Sequence, residues 1–351
     1  MVVYSGATGG GSMASDDLYL LDMRNGENNA QWMIVPVVGS TPGRRYGHTI
    51  VFSKPYLLVF GGNTGAEPVN DVWCLSVEKA PFSWIKLDCG KDQPPPRVYH
   101  SSALCMTGSA TGMMVSFGGR TSNQSSLADT WGLRRHRDGR WDWVKAPHKT
   151  ETAPTPRYQH NTLFLGPLMI VIGGRTNTVG EDVPMEVYDT ESSEWYKFNT
   201  IQRFRHFCWQ VEGQIFVHGG FENDNPNVPI NAISKIDSNK LFINFPNLLQ
   251  KSSPKLVQKG TEGKKSNRDQ KQKQNAYAIN ENREFILANQ AHIAMQHSTQ
   301  DQMDAPAEDF SLLVRKISID KLQEEPKKLG PNVKAPLIQK NPYDNLFSIF
   351  I

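Results

Sequence analysis

No apolar run of about 18 residues occurs anywhere in the 351-residue chain, so a membrane-spanning protein is ruled out and no membrane partner is expected. The segment Met1–Thr8 lacks the basic region and apolar stretch of a signal peptide. The four cysteines (Cys74, Cys89, Cys105 and Cys208) form no Cys-x-x-Cys pair, which speaks against a zinc knuckle; buried, unpaired thiols in a reducing cytoplasmic or nuclear compartment are expected instead. The P-loop pattern and the Gly-x-Ser-x-Gly nucleophile elbow are both missing. A copper-oxidase site would need Tyr, His and Cys ligands in one cluster, and His136, His148 and His218 have no evident partners. No reaction centre, metal site or cofactor follows from these residues.

Tryptophan is missing from residues 251–351, where only six Phe or Tyr occur, so this segment cannot build an aromatic core of the kind the first 245 residues can. Charge divides at the same place. Residues 1–250 carry 22 Lys+Arg against 23 Asp+Glu, and 251–351 carry 16 against 12. Eight of those basic residues fall between Lys251 and Asn275, in a Lys, Gln and Ser-rich stretch read as a solvated linker over 246–275. It has no aromatics to stack on bases, so no nucleic-acid partner is expected. Beyond it, 276–351 is expected to be a largely disordered tail. Ile279, Ile286 and Ile293, spaced seven apart, predict one amphipathic helix over 276–296.

What is present is repetition. Arg45-Tyr46-Gly47-His48 returns as Arg97-Val98-Tyr99-His100, Arg157-Tyr158-Gln159-His160 and Arg203-Phe204-Arg205-His206. Each His is followed, at an offset of 13, 18, 13 and 13, by a Gly pair: Gly61-Gly62, Gly118-Gly119, Gly173-Gly174 and Gly219-Gly220, with a single-Gly version at Ser5-Gly6. An acidic residue then opens an alternating run, at Asp17, Asp71, Asp129 and Glu186, and a Trp closes the unit at Trp32, Trp84, Trp143 and Trp195.

Each unit reads as four short antiparallel strands separated by Gly, Pro and Asn turns. In the second unit these are Val51-Phe52, Leu57–Phe60, Val72–Val77 and Trp84–Leu87. The Gly pair ends the second strand, where a side chain would clash with a close neighbour, and the Trp offers a flat face for stacking one sheet on the next. Radial stacking of such sheets makes a β-propeller. The histidines, one per unit, read as serving the sheets.

This wording resembles the Kelch repeat, whose fold is the β-propeller, over residues 1 to about 245. The resemblance implies an all-β propeller of five blades, or six if a tail segment donates strands, the first lacking its Arg-x-x-His strand and the fifth its Trp. It also places Arg45, Arg97, Arg157 and Arg203 in a basic ring at the mouth of the central channel, suited to acidic or phosphorylated peptides. The competing reading has them satisfy buried carbonyls between blades.

A second resemblance, carried by Phe310–Leu322 (Phe-Ser-Leu-Leu-Val-Arg-Lys-Ile-Ser-Ile-Asp-Lys-Leu), by Gly61–Gly65 and by Asp17–Asp22, is to the Kelch-containing Ser/Thr protein phosphatases of the PP1-like class. Their two-metal motifs all contain Gly-Asp or Gly-Asn-His-Glu, and neither wording occurs here, so catalysis is not expected of this chain. The apolar ending Phe347–Ile351 reads as the start of a missing domain, hence as a truncated product. The expected function is a protein-interaction module for a protein or phosphoprotein partner, resembling the substrate- or regulator-binding region of such a phosphatase and active in signalling. A free-standing scaffold, a ubiquitin-ligase adaptor and a propeller enzyme are the alternatives.

Overall fold

The computed structural model describes residues 1–252, apart from 9–11, 25, 150, 152, 179 and 200, together with the backbone of 314–318. The helix expected over 276–296, most of the basic linker and the chain end at 347–351 lie outside the described residues. No described helix is long and apolar enough to cross a membrane.

Five antiparallel sheets follow one another as propeller blades. Blade one has three strands, β1 (Val2–Tyr4), β2 (Leu18–Asp22) and β3 (Gln31–Val35), and among the described residues it has no inner strand. A short β4 (Val37–Val38) runs parallel to the outer strand of blade two, which comprises β5 (Thr49–Ser53), β6 (Tyr56–Phe60), β7 (Val72–Ser76) and β8 (Phe82–Lys86). Blade three is β9 (Ser101–Leu104), β10 (Met114–Phe117), β11 (Thr130–Arg135) and β12 (Trp141–Lys145). Blade four is β13 (Asn161–Leu165), β14 (Leu168–Ile172), β15 (Met185–Asp189) and β16 (Glu194–Phe198). Blade five joins β17 (Arg203–Val211), β18 (Gln214–Glu222) and β19 (Ala232–Asp237) to a distant β20 (Val314–Ser318).

Thus the tail does donate a strand, and it completes the fifth blade instead of founding a sixth. Val314–Ser318 lies inside the segment that carried the second resemblance, and it pairs antiparallel with Ile236–Ala232. Packed structure also runs past residue 245. Helices α1 (Ser238–Leu241) and α2 (Pro246–Ser252) bury Leu241, Phe242 and Leu248 against blades four and five, and Lys251 Nζ reaches the Asp189 carboxylate at 2.5 Å. Composition hid this extension because its anchors are phenylalanine and leucine, with no tryptophan.

Each sheet has a front face, turned to the following blade, and a back face. The alternation along the strands decides which residue goes where. The front of blade one (Tyr4, Leu18, Leu20) packs on the back of blade two (Leu57, Val59, Leu75, Trp84). The same pattern joins Val51, Leu58 and Phe60 to Met114, Leu133 and Trp143. It recurs between Leu163, Ile170 and Ile172 and the set Cys208, Ile215 and Val217. Strand β14, Leu-Met-Ile-Val-Ile, is buried on both faces and therefore apolar at every position. Full burial of one such side chain stabilises by about 1.5–3 kcal/mol.

Tryptophan packs one blade on the next at three of its four positions. Trp84, Trp143 and Trp195 are 4–5 % exposed, and each lies against the aromatic residue that precedes the glycines of the blade before it: Tyr4 at 5.5 Å, Phe60 at 4.7 Å and Phe117 at 5.2 Å. Trp32 sits at the same place on the back of blade one, with no blade before it among the described residues, and is 53 % exposed. The cysteines are all buried and unpaired.

The Gly pairs of blades two to four directly follow second strands ending at Phe60, Phe117 and Ile172, whereas Gly219-Gly220 lie inside β18. Gly118 has φ +63, and a Cβ there would lie 2.7 Å from the Arg157 carbonyl and 2.9 Å from His160 Cε1 of the next blade. Gly118→Ala is expected to cost about 2–4 kcal/mol, combining left-handed strain with overpacking, and to lower the thermal midpoint accordingly. A midpoint unchanged within a degree would show that the junction has room to spare.

Candidate functional site

The inner strands β5, β9, β13 and β17 lie side by side, and the Arg-x-x-His unit stands at their start. The arginines do not form an exposed ring. Arg45, Arg97, Arg157 and Arg203 are 0–2 % exposed. Arg45 donates to the Gly61 carbonyl at 2.8 Å and to Asp71 Oδ1 at 2.8 Å. Arg97 repeats this with Gly118 at 2.9 Å and Asp129 at 2.9 and 2.8 Å. Arg157 donates to the Gly173 carbonyl at 3.0 Å and to Glu186 Oε2 at 2.7 Å, both partners being fully buried. Arg203 donates to Ser234 Oγ at 3.1 Å and to the Ala232 carbonyl, with the charge of Glu222 close by. The acidic residue of the repeat is therefore the ion-pair partner of the arginine, bolting the third strand to the start of the first.

The pairing also corrects the alignment of the repeats. Asp71 and Asp129 stand just before β7 and β11, and each also accepts from the Trp two residues on, at 2.7 Å. By sheet register Glu186 pairs opposite Val171, as Trp73 pairs opposite Val59, so it occupies the Trp position and not the Asp position. Ser234, opposite Val217, is its equivalent in blade five. Pro184 and Ala232 take the Asp place and offer only their carbonyls.

Burial pushes the Asp71 and Asp129 carboxyls up, but hydrogen bonds and charge from Arg45 and Arg97 outweigh it and hold both below the usual carboxylate range. Burial pulls the Arg157 guanidinium down to about 10 against the opposing pull of Glu186. His100, His160 and His206 are buried too, and His48 is half-buried. Burial, reinforced by the neighbouring arginine, lowers His48 and His206 to about 4 and His100 and His160 well below the ordinary value. His100, His160 and His206 are neutral spacers that fill the hollow over the preceding blade's glycine.

The accessible chemistry lies one and two residues further along. The third residue of each unit adopts a left-handed conformation, with φ +62 at Gly47, +60 at Tyr99, +58 at Gln159 and +56 at Arg205. These residues are stitched blade to blade: the Tyr99 N–H donates to the Gly47 carbonyl at 2.8 Å, Gln159 to Tyr99 at 2.9 Å and Arg205 to Gln159 at 2.9 Å. Three non-glycine residues held in this conformation, at about 1–2 kcal/mol each, make an inner belt that fixes where their side chains stand.

Around the belt gather aromatic rings and cations. Tyr46 lies 5.9 Å from Tyr99, and Tyr99 lies 6.5 Å from Tyr158. The Arg120 guanidinium stacks over the Tyr158 ring at 4.9 Å, and that of Arg175 over Phe204 at 4.5 Å. Arg205 is exposed and, with the Gln159 amide oriented to suit it, donates to Oε1 from Nε at 2.9 Å and Nη2 at 3.0 Å. Burial raises the Tyr99 phenol, with Tyr46 adding to the effect, while Arg205 and Arg120 draw it back. Arg120, Arg205 and the three tyrosines thus share one electrostatic neighbourhood. The sequence signal was available: Arg120 and Arg175 directly follow a Gly pair, and Arg205 is the variable third residue of its unit. Residues that vary from blade to blade carry specificity, while the invariant ones hold the frame. Among the described residues no group of His, Cys, Asp and Glu is placed to hold a metal.

A family model described as the KLHDC2/KLHL20/DRC7 Kelch-repeats domain matches residues 1–220. The chain is 32% identical over 247 residues to the Serine/threonine-protein phosphatase BSL2 of Arabidopsis thaliana, a match covering 63% of this chain and 23% of the phosphatase. It is 32% identical over 216 residues to an F-box/kelch-repeat protein of the same plant, covering 59% of this chain and 43% of that one. Dynein regulatory complex subunit 7 of Chlamydomonas reinhardtii is 33% identical over 132 residues, 37% of this chain and 11% of that protein. The chain therefore spans less than half the length of these relatives.

Proposed function

Because the chain belongs to the Kelch-repeat proteins of the KLHDC2/KLHL20/DRC7 type, a protein-interaction propeller, we propose that it captures an acidic or phosphorylated segment of a partner protein at the inner belt. The observation that supports this is the convergence of Arg120, Arg175 and Arg205 on a floor of Tyr46, Tyr99, Tyr158 and Phe204. Guanidinium groups held flat by rings and an amide present pre-ordered donors, and these pair bidentately with carboxylate or phosphate. The tyrosines add apolar area at small entropic cost.

Likeness to the BSL2 phosphatase over the propeller supports a finer reading, in which this module selects substrates or regulators for a Ser/Thr phosphatase domain in signalling. The buried, unpaired thiols support a reducing cytoplasmic or nuclear setting.

The test is capture by purified chain from a library of phosphorylated, acidic and neutral peptides. Phosphorylated or acidic sequences are expected to be enriched. Arg120→Ala, Arg175→Ala and Arg205→Ala are each expected to weaken binding about 5- to 30-fold, with thermal midpoints close to wild type. A triple variant that still folds and binds the enriched peptides with undiminished affinity would remove the belt from consideration.

A further inference from the structure

Blade three departs from its neighbours toward its outer edge. The turn between its first two strands spans residues 105–113, where the other hairpins of this kind use two residues (54–55, 166–167 and 212–213). In its third strand Gly132 takes the register place held by Cys74 in blade two and Val187 in blade four, so the front face has no side chain there. Together these changes leave a cavity of about 140 Å³ between blades three and four, walled by Ala110, Met113, Gly132, Val144, Pro147 and Tyr188. An apolar cavity of about 150 Å³ takes up a benzene-sized group. The polar groups around this one already have partners: the Ser109 hydroxyl donates to the Thr190 carbonyl and the Tyr188 hydroxyl to the Pro147 carbonyl, each at 2.6 Å. The hollow therefore suits one side chain the size of leucine or phenylalanine.

Beside it runs an open strand edge. Among the described residues β12 pairs only with β11. The Ala146 N–H donates inward to the Thr130 carbonyl at 2.8 Å, so by antiparallel alternation Val144 also turns its backbone inward, while Trp143 and Lys145 turn theirs outward. Val144, on the cavity wall, is 37 % exposed. Blade two shows what such an edge accepts. There β4 lies along β8, and Val37 rests on the junction cluster that holds Phe82 and Trp84.

The edge also carries charge of one sign. Residues 134–149 hold six Lys or Arg against two Asp. Asp142 is engaged by Arg134 at 2.8 Å and His136 at 3.0 Å, Asp138 by Arg140 at 2.8 Å, and Lys149 pairs with Glu194. Arg135, Arg137 and Lys145 have no ion-pair partner among the described residues; Arg135 lies over the Tyr56 ring at 5.0 Å and Lys145 over that of Trp131 at 6.0 Å. Cations along an edge repel a second copy of the same edge and attract an acidic strand. A nucleic acid would match the charge, but it has no alternating N–H and C=O groups for the ladder and no apolar side chain for the cavity.

We propose that the outer edge of blade three docks an extended acidic segment of a partner protein as an added strand, with one large apolar side chain seated in the cavity beside Gly132. Neither Gly132 nor Arg137 belongs to the inner belt, so variants at these positions test this site alone.

The probe is a fluorescein-labelled synthetic peptide, Glu-Asp-Val-Glu-Leu-Glu-Val-Asp-Glu, titrated with full-length chain by fluorescence anisotropy. Saturable binding is expected, at least about tenfold weaker when Gly replaces the central Leu. Gly132→Val gives blade three the side chain that blade four has and fills the cavity, its closest neighbour being the flexible Met113 thioether at 3.0 Å. It is expected to weaken binding at least about tenfold while the thermal midpoint stays at or above wild type. Arg137→Glu, at an exposed position, is expected to weaken binding about three- to tenfold. No saturation, equal binding of the Gly peptide, or affinity untouched by Gly132→Val in a folded chain would overturn the proposal. If Gly132→Val does not fold, Arg137→Glu decides, and undiminished affinity there overturns it. A short oligouridylate that displaces the peptide and binds the Gly132→Val chain as tightly as wild type would assign the edge to RNA instead. A dimer seen by light scattering and dissociated by Gly132→Val would assign it to a second copy.

Discussion

Arg157→Met is expected to destabilise the propeller by about 3–5 kcal/mol, the largest loss from any single substitution at the repeat positions. Methionine fills much of the volume of the aliphatic stem, so the loss is electrostatic. Glu186 is fully buried and keeps donors from the Thr155 N–H and hydroxyl at 2.9–3.1 Å, with the Lys197 ammonium at 3.4 Å, but loses the one guanidinium that matches its charge inside the blade. The Gly173 and Pro184 carbonyls lose their donor as well. Two comparisons isolate the cause. Arg157→Met combined with Glu186→Gln removes the stranded charge while leaving an acceptor for Thr155, and should recover at least about 1–2 kcal/mol. Arg203→Met, whose hydrogen bonds go to the neutral Ser234 and Ala232 and whose neighbouring acid Glu222 is part-exposed, should cost less than Arg157→Met alone. Chemical denaturation read by tryptophan fluorescence measures all three. If Arg203→Met costs as much as Arg157→Met, packing and not the buried pair sets the penalty.

That pairing shows where the sequence is legible and where it stops being so. The Arg-x-x-His, Gly-Gly and Trp elements recur at nearly constant offsets because each meets a neighbour in the same place in every blade, and such positions are visible as repetition. The join of arginine to acid spans 26 to 32 residues, two strands and a loop of variable length, so spacing alone could not show it. At Glu186 the acid moves two places along the strand and still reaches its arginine, since i and i+2 share a face; the repeat looks intact while its register has changed. The basic ring failed for a related reason. A residue present once per blade is more economically explained by a contact present once per blade, and each arginine has one inside. Arg120 and Arg175 share a place in only two blades and Arg205 stands in one, so periodicity gives them little weight. The fourth strand of blade five lies 77 positions beyond the end of the third, across a segment that contains no tryptophan, and only its pairing with Ala232–Ile236 reveals it.

The same buried histidines make the fold acid-labile at a pH that carboxylates alone would not set. In the folded chain His48 and His206 take up a proton only near pH 4, and His100 and His160 only well below their ordinary range, because burial first and an adjacent arginine second oppose the charge. In the unfolded chain all four return to about 6.5. Between those limits the unfolded state binds more protons than the folded one, so stability is full above about pH 6.5 and falls as pH drops toward 4. Each histidine contributes a slope of about 1.4 kcal/mol per pH unit, hence roughly 5 kcal/mol per unit for four, which rivals the whole stability of an ordinary domain. Asp71 and Asp129, held below the usual range by their arginines, add a further loss only as pH falls through their lowered values. Acid unfolding is therefore expected with a midpoint between about pH 5 and 6, seen as loss of tryptophan emission contrast and a steep fall of the thermal midpoint from pH 7 to 5. His160→Gln, which keeps a donor for the Phe117 carbonyl now 3.1 Å from Nε2, should lower stability at pH 7.5 but make its pH slope shallower by about a quarter. A thermal midpoint that stays level from pH 7 to 5 would mean that these rings are protonated in the folded blades, and the neutral-spacer role would have to be abandoned.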